Sequence, residues 1–265
     1  MFNKIVVTLV VLAFSFLAKG QSAQEVENKL SFYNGKITYW DEHRYDDSVV
    51  DGEDSLNRVN NELSDYIART FTNNRSTLNR DFQKGINTIS IVSDDYKLRL
   101  FSWDTRMGGT MRRYYDMAQY QTGSEVKVVD MIDTSGKDYG TDYRSINIAR
   151  TKNGKTVYLV QDYCIASTKD RAEGITAYII EDGGLKKHSF FRTKTKFFSS
   201  ISYGYDAFSS ANKLKNKDIP TIHLSKDNRK LYIPIVSGPT KEDVTDKYLV
   251  YVFDGNNYVF DKNAK

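Results

Sequence analysis

The fold is decided by residues 89–100, which read ISIVSDDYKLRL. Ile89 and Ile91 alternate with other residues, a polar turn follows at 93–97, and Leu98 and Leu100 then alternate in the same way. Alternation with a period of two residues, broken by a polar turn, is typical of an antiparallel hairpin with one face on a core. The same pattern occurs twice more, as Ile146/Ile148 and Val157/Leu159 around the turn 151–155, and as Ile222/Leu224 and Leu231/Ile233 around the turn 225–229.

Each hairpin is followed by two more strand patterns, so residues 86–265 are predicted to form three four-stranded antiparallel meanders. The turns between the third and fourth strands, at 122–124, 182–184 and 255–257, contain Gly or Asn, which accept the positive φ of short hairpins. Three units are fewer than the roughly four to eight blades of a closed propeller. The predicted fold is therefore mainly β, either propeller-like or a large sandwich or barrel. The predicted strands are Thr88–Val92, Lys97–Trp103, Thr110–Tyr120, Glu125–Met131, Ser145–Ala149, Thr156–Ile165, Ile175–Glu181, Leu185–Phe191, Thr221–Leu224, Lys230–Val236, Tyr248–Asp254 and Tyr258–Lys262.

The first 20 residues have the three parts of a secretory signal peptide. Lys4 gives the positive start, Ile5–Leu17 is an apolar run, and Ala18-Lys19-Gly20 places small residues before a cut at Gln21. As a helix the apolar run would rise only about 20 Å, against a hydrocarbon core of about 30 Å. We therefore expect export to the periplasm or the medium, with no membrane-spanning segment in the mature chain.

Residues 21–85 are predicted to form a helical segment that packs on the β domain. Leu56, Val59, Leu63, Ile67 and Phe71 recur with helical spacing. A helix with so apolar a face needs a partner, which would be the β domain or another protein.

Composition excludes one class of partner. The whole chain has a formal charge of +4, and removal of Lys4 and Lys19 with the signal peptide leaves +2. This bias is too weak for a nucleic-acid-binding surface. Cys164 is the only cysteine, so no intramolecular disulfide can form, and we expect its thiol to be buried in a strand.

The most distinctive local string is Ser102–Met111, which links the second and third strands of the first unit. Gly108 and Gly109 let the backbone approach another group closely, and their amide groups could bind an anion. The alternative is structural, with Asp104 and Thr105 capping a turn. Nearby tyrosines could offer ring faces to a sugar. The candidate ligand-binding residues are Trp103, Asp104, Thr105, Gly108, Gly109, Thr110, Tyr114 and Tyr115.

This string also carries a resemblance. Asp95–Thr105, followed by Gly108–Met111 and Gln119-Tyr120, resembles a segment of uncharacterised exported bacterial proteins with an SWDT…GGTM pattern. The resemblance covers about Thr77 to Tyr120. Since no activity is attached to that group, it implies only that the string belongs to a recurring module.

No cofactor or metal is predicted. Asp41-Glu42-His43 with Asp46-Asp47 contains one histidine among carboxylates, without the paired histidines of a zinc site. Residues 133–142 superficially resemble a calcium loop, but Asp138 and Arg144 stand where an EF-hand needs Gly and a carboxylate. The first segment is interpreted as a solvated acidic loop and the second as a flexible connection between units, and no catalytic motif accompanies them.

We therefore expect an exported, non-enzymatic binding protein whose partner is a glycan or an extracytoplasmic protein. One alternative is a hydrolase of a cell-wall or extracellular polymer, which would need two carboxyl groups facing each other about 5–10 Å apart. Another is a structural component of the envelope. The sequence leaves open the ligand, the oligomeric state and the biological process.

Overall fold

The computed structural model describes residues 21–46, 51–80, 82, 89–132, 139–215, 219–238 and 242–264. The predicted signal peptide, residues 1–20, lies outside the described residues, as does part of the calcium-like segment. No described helix is both long enough and apolar enough to cross a membrane.

The described chain begins with two long helices, α1 (Ala23–Glu42) and α2 (Gly52–Phe71), and a short one, α3 (Arg75–Leu78). A capping box starts α1: Ser22 Oγ accepts from the Glu25 N–H, and the Ser22 N–H donates to the Glu25 carboxylate. The predicted apolar face of α2 is buried along its length.

Fifteen strands follow in the described residues and form three sheets, with the six-residue helix α4 (Ser210–Lys215) before β12. The first sheet contains β1 (Ile89–Val92), β2 (Leu98–Asp104), β3 (Tyr114–Thr122) and β4 (Glu125–Asp130) in sequence order. The second contains β5 (Asp142–Arg150), β6 (Thr156–Ile165), β7 (Asp170–Glu181), β8 (Gly184–Lys187) and β11 (Ser200–Asp206). The third contains β9 (Phe191–Arg192), β10 (Phe197–Phe198), β12 (His223–Leu224), β13 (Lys230–Ser237), β14 (Asp243–Phe253) and β15 (Tyr258–Phe260).

The mainly β fold with antiparallel meanders and N-terminal helices is confirmed. Each predicted hairpin is present, with its partners in antiparallel register. The three sheets stay separate within the described residues, and none of them closes on itself. The structure is therefore an open arrangement rather than a barrel.

The helices and the three sheets pack on one another as successive layers, and the first and second sheets each use both faces. Phe101 and Trp103 of β2 point to α1 and α2, whereas Leu98 and Leu100 point to the second sheet. The second sheet presents Tyr158 and Val160 to the first sheet and Val157 and Leu159 to the third. The order of layers is therefore helices, first sheet, second sheet, third sheet, with a dry cluster between each pair.

Most predicted strands differ from the structure only in their ends, but one is divided between two sheets. The fourth strand of the second unit, expected to be Leu185–Phe191, ends at Lys187, and Phe191 instead starts β9 of the third sheet. There β9 pairs parallel with β15, so that Phe191 lies opposite Tyr258. Phe190 and Phe191 are both fully buried, and their rings contact Tyr258. Burial of these two adjacent rings in the third sheet therefore takes the place of a longer fourth strand in the second unit.

The two ends of the stack carry different connections between strands. We call the end that carries the hairpin turns 93–97, 151–155 and 225–229 the turn end. The opposite end, which we call the loop end, carries the connections 105–113 and 166–169, together with the end of β4 and the start of β5. The Ser102–Met111 string therefore lies at the loop end. Cys164, near the end of β6, is half-buried rather than fully buried.

Candidate functional site

The structure places Trp103 in the core between α2 and the first sheet. Its side chain is 1% exposed, its indole N–H donates to Asn60 Oδ1 at 2.9 Å, and its ring stacks on Tyr115 with centroids 4.8 Å apart. A ligand at the surface does not reach this ring. Trp103 anchors the start of the loop to α2.

The loop between β2 and β3 is longer than predicted, because β3 begins at Tyr114 rather than at Thr110. Thr105 closes the loop, since both its N–H and its hydroxyl donate to the carbonyl of Arg113, at 2.9 and 2.7 Å. Asp104 Oδ1 accepts from the Arg106 N–H at 2.9 Å. Asp104 and Thr105 therefore do stabilise the turn, as the structural alternative expected. Thr110 is exposed in this loop.

Three of the candidate residues, Asp104, Gly108 and Gly109, come together around one cavity of about 260 Å³. We call it the loop pocket. It lies between the loop and the C-terminal end of α1. It is lined by Asp41, Arg44, Asp104, Arg106, Gly108, Gly109 and Arg112.

The two candidate tyrosines do not form an open aromatic surface. Tyr114 is 8% exposed, and burial raises the pKa of its hydroxyl to about 12, with a further contribution from the negative charges of Asp142 and Asp104. Tyr115 is half-buried against Trp103, and its hydroxyl lies 3.5 Å from Asp130 Oδ1. Neither tyrosine lines the loop pocket.

A second cavity at the loop end, of about 340 Å³, is lined by none of the candidate ligand-binding residues predicted from the sequence. We call it the Tyr163 pocket. Its floor is formed by β5, β6 and β7, and its wall is formed by the segment before β12. It is lined by Arg144, Gln161, Asp162, Tyr163, Glu173, Gly174, Thr221 and Ile222.

The strand alternation decides which side chains face this pocket. Gln161 and Tyr163 share a face of β6 with Val157 and Leu159, which is the face turned toward the third sheet. Glu173 lies directly opposite Tyr163 on β7 and shares that face. Asp162 points the other way, toward the first sheet, and its carboxylate lies over Gly174, where a Cβ would come within 2.9 Å of both carboxylate oxygens.

Hydrogen bonds hold the wall of the pocket onto its floor. The Ile222 N–H donates to Glu173 Oε2 at 3.0 Å, and Gln161 Nε2 donates to the Ile222 carbonyl at 3.1 Å. The Tyr203 hydroxyl donates to the carbonyl of Pro220 at 3.1 Å. The segment 220–222 is therefore fixed at three points, so the pocket is preformed.

Arg144 and Tyr163 form the mouth of the pocket. The guanidinium lies 4.9 Å from the centroid of the Tyr163 ring, and it pairs with the carboxylate of Asp142. The register of β5 against β6 shifts between Tyr143 and Ser145, which puts Arg144 in a bulge. Bulges redirect side chains at sheet edges, and this one gives Arg144 its place above the ring.

Burial dominates the electrostatics of the pocket. It raises the pKa of the Glu173 carboxyl, with the Ile222 N–H opposing the shift. It also raises the pKa values of the Tyr203 and Tyr205 hydroxyls. Behind the floor, burial raises the pKa of Asp162 to about 6, while a hydrogen bond from Thr141 opposes that shift.

A buried ionisable group with a raised pKa in a preformed cavity is typical of functional sites, and Glu173 is such a group here. Only weak signals of this site are present in the sequence. Gln161, Tyr163 and Glu173 occupy what look like the outward positions of ordinary strands, and only the register of β6 with β7 brings them together.

In the comparisons with known proteins, no family model, no curated protein and no solved structure matched this chain. Within the described ranges, no group of three or more His, Cys, Asp or Glu side chains is arranged to hold a metal ion.

Proposed function

We propose that the chain is an exported, non-enzymatic binding protein and that its ligand is a glycan held in the Tyr163 pocket. The observation that supports this most directly is the placement of the Tyr163 ring beside three planar polar groups, those of Arg144, Gln161 and Glu173. The resemblance of the Ser102–Met111 region to exported bacterial proteins is consistent with export but does not indicate which ligand is bound.

The chemistry of the lining suits a sugar. A sugar presents hydroxyl groups that donate and accept hydrogen bonds, together with faces of C–H groups. Arg144 supplies donors. Gln161 bonds to Ser145 and Ile222, and Glu173 bonds to Ile222, but an amide has two donors and two acceptor sites and a carboxylate has about four acceptor sites, so both groups keep capacity for a ligand. The Tyr163 ring supplies an apolar surface on which C–H groups can pack. A cavity of about 340 Å³ lies within the range of small-ligand sites.

A glycan is favoured over a protein partner because the apolar face of α2 is already covered. Leu56, Leu63 and Ile67 are each 0% exposed, packed against α1 and the first sheet. The face that could have bound another protein is therefore used inside the chain. A purely structural envelope role gives no reason for a preformed polar cavity.

The hydrolase alternative is disfavoured by the strand alternation. Asp162 and Glu173 both border the cavity, but their side chains lie on opposite faces of the second sheet. A glycosidase needs its two carboxyl groups on either side of one bond, with pKa values driven apart. Here burial raises both pKa values.

A glycan array followed by titration calorimetry tests the proposal. The mature protein is expected to bind at least one glycan on the array, and Tyr163→Ala is expected to weaken that binding about tenfold or more, which is about 1.4 kcal/mol. Tyr232→Ala is the matched control, because Tyr232 is a half-buried strand tyrosine that lies outside the pocket, stacked on His223. An array without any bound glycan, or equal binding by the Tyr163→Ala variant, would exclude the proposed site.

A further inference from the structure

We propose that the loop pocket binds an oxyanion, the carboxylate or phosphate group of a small ligand. This oxyanion site does not depend on the glycan proposal, because the two pockets share no lining residue. Arg106 and Arg112 are the binding groups, and the backbone of Gly108 and Gly109 lines the pocket beside them.

The balance of charge in the loop pocket favours an anion. The lining contains three arginines and two aspartates, which leaves one positive charge in excess. Arg112 Nη1 pairs with Asp104 Oδ2 at 2.6 Å, and Arg44 Nη2 pairs with Asp41 Oδ1 at 2.8 Å. Arg106 has only longer ion pairs, and it shares both carboxylates with another arginine: Asp41 with Arg44, and Asp104 with Arg112.

The pocket also has a surplus of hydrogen-bond donors. Arg106 Nε lies 3.7 Å from Asp104 Oδ2 and 3.9 Å from Asp41 Oδ2, and both distances are too long for hydrogen bonds. Among the described residues, the Arg106 guanidinium makes no hydrogen bond. A guanidinium has five N–H donors in a planar fork, which matches the paired oxygens of a carboxylate or phosphate.

Two of the arginines are accessible to a ligand. The side chains of Arg106 and Arg112 are 35% and 38% exposed, so a ligand can reach both. Arg44 is only 10% exposed, and it donates to the carbonyl of Arg106. Arg44 therefore contacts the loop from its buried side, while the other two arginines face the solvent.

The loop is held in its binding shape in advance. Arg106 has φ +62° and Gly109 has φ +59°, in the left-handed region that an arginine seldom adopts. Such conformations persist where the surrounding structure fixes them, and they cluster at binding sites. The contacts of Thr105 with Arg113 and of Asp104 with the Arg106 N–H fix this one.

Titration of the mature protein with sodium phosphate and, separately, with sodium glucuronate tests the inference. Sodium chloride at equal ionic strength is the reference, and the readout is the NMR signals of the arginine Nε–H groups. Saturable shifts of the Arg106 and Arg112 signals with either anion are expected. Saturable shifts with only one of the two anions would support the inference and identify that anion as the preferred oxyanion. Shifts that merely follow ionic strength would overturn the inference, whatever any variant does.

Variants then locate the site. Arg106→Gln and Arg112→Gln are each expected to weaken binding about tenfold or more. Arg113→Gln is the matched control, because Arg113 belongs to the same loop but is exposed, lies over the Tyr139 ring and does not line the pocket. An equal loss in all three variants would show a general charge effect and contradict a specific site.

Discussion

The indole N–H of Trp103 donates to the side-chain oxygen of Asn60 across the boundary between the first sheet and α2, at 2.9 Å. The Asn60 amide nitrogen in turn donates to the carbonyls of Leu56 and Thr105, at 2.9 and 3.0 Å. The buried Asn60 side chain thus provides the hydrogen-bond acceptor for the Trp103 indole and a donor for the carbonyl of Thr105, the first residue of the loop. The position of the loop pocket depends on this junction.

Asn60→Ala is therefore expected to lower the free energy of unfolding by about 2–4 kcal/mol, because it leaves the Trp103 N–H and the Thr105 carbonyl buried without their partner. Urea denaturation measures this change. Asn61→Ala, at the exposed neighbouring position, is expected to change stability by less than about 0.5 kcal/mol. Equal effects of the two substitutions would contradict the role given to Asn60.

A side chain does not fit at Gly108, whereas one does fit at Gly35. A Cβ at Gly108 would overlap the carbonyl oxygen of Met111 and approach the Arg113 nitrogen to 2.7 Å. Gly108→Ala is expected to lower the free energy of unfolding by about 1–3 kcal/mol and to distort the loop. Gly35→Ala lies in the middle of α1, where the added Cβ would meet no described atom within 4 Å apart from the backbone of its own helix, and it is expected to raise stability by about 0.5–1 kcal/mol. Thermal unfolding of the two variants shows whether each substitution raises or lowers stability. A Gly108→Ala variant as stable as the unmodified protein would contradict the loop geometry.

Asp162 is expected to make the protein less stable at neutral pH than at mildly acidic pH. Burial raises its pKa from 3.8 to about 6 in the folded chain. Between pH 4 and pH 6 the unfolded chain loses this proton while the folded chain keeps it, so the free energy of unfolding falls as the pH rises. The loss is about 3 kcal/mol once the pH is above 6.

Asp162→Asn removes that ionisation. The variant is expected to be more stable than the unmodified protein at pH 7 and to show a smaller fall in stability between pH 4 and pH 6. Urea denaturation across this pH range is the measurement, with Asp94→Asn at an exposed turn as the control. Burial raises the pKa values of Asp142 and Glu173 as well, so part of the fall remains in the variant. An unchanged pH profile would show that Asp162 is not the buried acid described here.

Export is expected to remove residues 1–20 and leave Gln21 as the first residue. This cut keeps the start of α1 intact, because Ser22 forms the capping box with Glu25 and the Tyr66 hydroxyl donates to Gln21 Oε1 at 3.1 Å. Fractionation of the producing cell, followed by intact-mass measurement, tests the prediction. A full-length chain retained in the cytoplasm would contradict it.

Local patterns are enough to predict the meanders, because period-two alternation and polar turns act within a few residues. They cannot predict the place of Phe191, since its partner Tyr258 is far away in the chain and pairs with it in parallel. For the same reason the sequence suggests that Trp103 belongs to a binding loop, whereas its packing partners on α2 put it in the core.

The two pockets differ in how far the sequence can indicate them. Asp104, Gly108 and Gly109 are close in the chain, so the local composition alone is enough to single out their loop. The Tyr163 pocket depends on a bulge in β5 and on the register of β6 with β7, which no local pattern specifies. The wall segment 220–222 reaches it from another sheet.

The most direct test of the central proposal is an NMR titration of the mature protein with the glycan that binds best on the array. Glycan binding in the Tyr163 pocket predicts that the backbone amide signals of residues 161–163, 173 and 221–222 shift and saturate together. Shifts confined to the turn end, or to residues 104–112, would contradict it.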